Sequence, residues 1–72
     1  MYTLVGFSRF TSRKSGKSFV SLHCTYEDRT IEGSAVEHFI CSPDVISDDL
    51  FVGAVLDISF NQRGYVIRVD VK

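Results

Sequence analysis

Ser18-Phe19-Val20-Ser21-Leu22-His23-Cys24-Thr25-Tyr26-Glu27 sorts its side chains two by two. Val20, Leu22, Cys24 and Tyr26 fall on one side, and Phe19, Ser21, His23 and Thr25 on the other. Successive side chains of an extended chain point to opposite faces. The stretch therefore predicts a strand with an apolar face for a core and an outer face that carries Phe19 and His23. Everything else in the chain is read relative to it.

Upstream, a first strand is expected from Tyr2 to Phe10, with apolar residues on both sides. Thr11-Ser12-Arg13-Lys14-Ser15-Gly16-Lys17 then makes a polar hairpin loop in which Ser15-Gly16 marks the turn. Downstream, Asp28 to Gly33 is a polar connection and Ser34 to Cys41 a third strand. Ser42-Pro43-Asp44 starts a short helical turn, with Ser as N-cap, Pro in the first position and an acid in the first turn. Val45, Ile46 and Leu50 are placed to cover one end of the core, and Phe51 is expected to pack beneath the turn.

The fourth strand puts Ala54, Leu56, Ile58 and Phe60 on one face. Asn61-Gln62-Arg63-Gly64 is a tight connection, with Gly64 able to take positive φ. The fifth strand answers with Tyr65, Ile67, Val69 and Val71 inward. Short strands of period two separated by turn chemistry predict an all-β domain. Three strands, a helical turn and a final hairpin follow the order of a five-stranded OB-type barrel. An SH3-like barrel is the competing arrangement.

The 72 residues allow one domain, 1–72, with a small core. No apolar run is long enough for a membrane span, and no secretory signal is expected. Cys24 and Cys41 form no CxxC pair and are read as buried thiols of a reducing cytoplasm.

Net charge is −1, but the charges are segregated. Met1 to Tyr26 holds four cations, Arg9, Arg13, Lys14 and Lys17, and no acid. Glu27 to Asp57 holds eight acids against Arg29 alone, and the last fifteen residues carry Arg63, Arg68 and Lys72 against Asp70. A local field of this kind can steer a ligand that the net charge would repel.

The basic first hairpin is the strongest candidate site. Cations neutralise phosphates, small hydroxyls hydrogen-bond phosphate oxygens, and an exposed ring stacks on a base. Arg9, Arg13, Lys14 and Lys17 surround Ser12, Ser15 and Gly16, and Phe19 follows on the outer face. In an OB barrel the first and last hairpins flank the binding face, which would bring Arg63 and Arg68 to the same rim. His23 is a further stacking ring. These residues predict binding of single-stranded nucleic acid, with DNA preferred over RNA.

His23, Cys24, His38 and Cys41 also invite a zinc reading. Neighbours on a strand point apart, and so do residues three apart, so the four cannot converge as a tetrahedral site requires. No Ser/His/Asp or Cys/His set and no phosphate-cradling glycine loop is visible, so no enzyme and no cofactor is expected. The acidic middle, or an open strand edge, offers the alternative of a protein-interaction module.

Glu32-Gly33, Glu37-His38-Phe39-Ile40-Cys41-Ser42, Val52-Gly53 and Asn61-Gln62-Arg63-Gly64 resemble a group of short proteins from mobile elements of Gram-positive bacteria. Those share a glycine, then glutamate with an (I/V)FVS-like strand, then VG before a strand ending in YNRYG. In plan, and through Arg13-Lys14-Ser15-Gly16-Lys17-Ser18-Phe19, the chain is also similar to the helix-destabilising single-stranded-DNA-binding proteins of filamentous phages. That resemblance implies a dimeric OB-fold protein. It would coat single strands without regard to sequence, during phage or plasmid replication in the cytoplasm of a bacterial host.

Overall fold

Five antiparallel strands form one sheet in the computed structural model, which describes all 72 residues. They are β1 (Tyr2–Thr11), β2 (Ser18–Tyr26), β3 (Ala35–Cys41), β4 (Val55–Phe60) and β5 (Val66–Val71), in the order β3-β2-β1-β4-β5. The expected helical turn is one turn of 3₁₀ helix, Pro43–Val45. The Ser42 side chain accepts a hydrogen bond from the Asp44 amide at 3.4 Å. No helix is long and apolar enough to cross a membrane.

The inner face of the sheet is its core. Leu4, Val20, Leu22, Cys24, Cys41, Ala54, Leu56, Ile58 and Val69 are buried together. Each fully buried aliphatic side chain contributes about 1.5–3 kcal/mol relative to exposure. Val45, Ile46 and Leu50 pack against this cluster, as their placement required. Phe51 does not, and remains 56 % exposed.

The sheet rolls over its core. Phe39 on β3 and Phe60 on β4 have two strands between them in the order, yet their ring centroids lie 5.5 Å apart. Tyr2 packs edge-on against Phe39 at 5.0 Å. The roll does not close into a hydrogen-bonded barrel, because β3 and β5, the outermost strands, share no ladder. The edge of β5 is instead met by the chain after the 3₁₀ turn, through an Ile46–Val69 bridge and a Ser47 amide donating to the Val69 carbonyl at 3.0 Å.

Two bulges change the facing that strict alternation gives. In β1, Leu4 pairs with Cys24 but Gly6 with His23, so Val5 is an extra residue and stands half exposed. In β5, Arg68 pairs with Ser59 but Val66 with Phe60, leaving Ile67 as the extra one. Val66 therefore packs on the core, while Ile67 is 50 % and Tyr65 66 % exposed. This corrects the inward placement of Tyr65 and Ile67, since one inserted residue reverses the parity beyond it.

Candidate nucleic-acid interface

The outer face of β1, β2 and β3 is built in rows fixed by the register. Phe10 lies opposite Phe19, Ser8 opposite Ser21 and Ile40, and Gly6 opposite His23 and His38. Phe10 and Phe19 stack with centroids 5.7 Å apart and planes 28° apart. One further pair, Thr11 with Ser18, leads from this stack into the β1–β2 hairpin. Hydrogen bonds from the Ser12 amide to Lys17 O at 2.9 Å and from the Gly16 amide to Ser12 O at 2.8 Å close that hairpin. Gly16 takes φ of 69°, a conformation side chains disfavour.

Arg13, Lys14 and Lys17 are all exposed on this hairpin. The ion pairs of the molecule are Arg68–Asp70 at 2.8 Å and Lys72–Asp57 at 3.6 Å, so no carboxylate engages the hairpin cations. Beside them lies a cleft of about 510 Å³ lined by Lys17, Ser18, Phe19, Ser42, Pro43 and Asp44. Asp44 is the one carboxylate along it, facing a lysine and an aromatic ring across the cleft.

The remaining predicted residues divide. His23 shares the outer face of β2 with Phe19, four residues along. It stacks on His38 of β3, with centroids 4.5 Å apart and planes 7° apart. Ser21, buried between the rows, hydrogen-bonds the Nε2 atom of both rings. Cys24 and Cys41 are buried on the other face as free thiols, raised above the usual thiol range by burial and, for Cys24, also by Glu37. Phe10 and His38 are the outer-face residues that sequence reading missed, along with the hydrogen bonds made by Ser21, whose facing it had placed. Apolar residues on both sides of strand three hid which side faced out.

Arg9 lies opposite Val20, on the core side of β1, because the Val5 bulge reverses its facing. There its guanidinium sits 5.6 Å from the Phe7 ring centroid, on the side of the sheet away from Phe10 and Phe19. Arg68 is held by Asp70 through Nε at 2.8 and 3.1 Å.

Arg63 is exposed on the β4–β5 hairpin, whose Asn61 side chain accepts from the Arg63 and Tyr65 amides at 2.9 and 3.0 Å. The expectation that the two hairpins share one rim does not follow from the ladder. β4 pairs with β1 through Thr3–Val55 and Tyr2–Leu56, then runs past the start of β1. Its hairpin leaves at the Met1 end, whereas Ser12–Lys17 closes the other. The structure thus gathers Arg13, Lys14, Lys17, Phe19 and His23 along one hairpin and sets Arg9, Arg63 and Arg68 apart.

Searches against protein-family models, curated proteins and solved structures find no match to this chain.

Proposed function

We propose that this chain binds single-stranded DNA without regard to sequence, through the outer face of β1 and β2 and the hairpin that joins them. The observation that carries the reading is the Phe10–Phe19 ring pair continuing directly into a hairpin whose cations no carboxylate engages. Arg13, Lys14 and Lys17 neutralise phosphates, Phe19 stacks a base, and His23 extends the contact along β2. We further propose that the rolled sheet is the framework of an OB-type barrel. Its strand order is that of such a barrel opened between β3 and β5, and OB folds are partly open barrels. Replication of a phage or mobile element is the setting that the resemblance implies.

Salt is the direct test. Three phosphate contacts on a single strand give a slope of log affinity against log salt of about −2. A titration of a fluorescent oligonucleotide measures it, and binding indifferent to salt contradicts the proposal.

One observation favours a second reading, a protein-interaction module. The outer edge of β3 has no ladder partner, and Val36 and Ile40 beside it are 76 % and 54 % exposed. Reversing Lys14 and Lys17 to Glu separates the two: the first reading requires loss of oligonucleotide binding, the second leaves function intact.

A further inference from the structure

The stacked His23–His38 pair lies outside the apolar core cluster, and the hydroxyl between the rings belongs to the buried Ser21. Both rings are exposed, on adjacent strands, in the same row of the outer face. Their planes are nearly parallel and both Nε2 atoms turn to the Ser21 hydroxyl. A hydroxyl donates one hydrogen bond and accepts two. Ser21 can therefore donate to one neutral ring while it accepts from the other, which holds the rings side by side without requiring a charge. Both Nε2 atoms are taken up by the Ser21 hydroxyl, which leaves the Nδ1 atom of each ring for a phosphate oxygen. No group of three metal-ligating side chains forms here.

Glu37, whose Oε1 accepts from the His38 amide at 3.1 Å, is the charged group that lines the shallow cleft with both rings. Cys24, the other titratable side chain of that cleft, is buried. From β1 the row is completed by Gly6, which brings no charge. From the flanking rows come Ser8, Ser21 and Ile40 on one side, and Thr25 and Val36 on the other, again uncharged. No cation stands in these rows.

We propose that His23 and His38 form a second phosphate contact on the binding face, one that acidification switches on. Imidazole side chains change charge between about pH 5 and 8, and this pair sets two of them side by side across β2 and β3. They lie four residues from Phe19, about 13 Å along an extended strand. A strand held at the hairpin by Arg13, Lys14 and Lys17 then finds a second anchoring point beyond the aromatic pair. His38 and Ser21 become binding residues alongside His23, and single-strand affinity rises on acidification.

This rests on the single-strand reading above, and the test distinguishes the two. Salt titrations of a homopyrimidine DNA oligonucleotide are run at about pH 8 and about pH 5.5, on either side of the histidine range. Each added phosphate contact steepens the slope by about 0.7 for a single strand. The wild-type slope should therefore be steeper at the lower pH by about 0.7. His23→Gln and His38→Gln should each reduce that difference, and the double variant should abolish it. Because both rings are exposed, circular dichroism should show the variants folded. Binding with the same slope at both pH values, or a pH difference that survives in the double variant, overturns the histidine contact and leaves the hairpin reading standing. No binding at either pH overturns both.

Discussion

Phe19 carries the sharpest expectation at the scale of single residues. Stacking on an aromatic side chain is worth about 1–3 kcal/mol per base, so Phe19→Ala should weaken oligonucleotide binding about tenfold or more, by the same factor for every sequence. Fluorescence anisotropy on oligo-dT, oligo-dC and a mixed strand measures this, and a loss confined to one sequence contradicts a stacking role. Asp70 supplies a second expectation. The Ser47 hydroxyl, donating at 2.8 Å, and then Arg68 hold its carboxyl below the usual carboxylate range. A depressed carboxyl stabilises the fold above its ordinary range, and that contribution fades as the pH falls through the lowered value. Ser47→Ala should move the Asp70 titration back upward in carboxyl NMR. The thiols supply a third: burial keeps Cys24 and Cys41 protonated and covered, so a disulfide reagent should leave the native protein unlabelled and react with both in urea. The facing of Phe19 and His23 was legible because β2 alternates without interruption. That of His38 was not, because Val36 and Ile40 on its side are as apolar as Phe39 and Cys41 on the other.

At the scale of elements, sequence reading found all five strands and the helical turn with their ends within a residue or two, because the turn chemistry is explicit. Gly64 shows it: φ is 83°, and its amide closes the turn onto the Asn61 carbonyl at 3.0 Å. An added methyl there meets no neighbouring atom, so Gly64→Ala registers backbone strain alone. It should cost about 1–2 kcal/mol, read from the urea midpoint of unfolding. What the pattern could not reveal were the bulges. Tyr65-Val66-Ile67-Arg68-Val69 alternates convincingly with Tyr65 and Ile67 inward, and only the cross-strand partner tells that Val66 takes that place.

For the molecule as a whole, the limiting quantity is the size of the core. A chain of 72 residues has a stability of about 4–11 kcal/mol at ordinary values per residue. Leu56, wholly buried between Tyr2 and Val71 in the ladder, is central to it. Leu56→Ala should remove about 2–5 kcal/mol, a large part of the total, which calorimetry would show as a pronounced fall in Tm. The all-β class was legible from periodicity alone, and the roll over the core follows from burying one face of every strand. That the two hairpins leave opposite ends of β1 was not legible, because it depends on which end of β1 the fourth strand enters, a choice made by pairing between residues some fifty positions apart. The proposed binding face consequently draws its charge from the N-terminal third of the chain.

The Val5 bulge means that β1 is written in two reading frames. Losing Val5 would shorten the strand yet leave Leu4, Phe7 and Phe10 on the sides they now occupy, whereas losing Ser8 would exchange Arg9 for Phe10 across the sheet. Length variation in this strand is thus tolerable at one spot and ruinous three positions later, though both deletions remove a single residue.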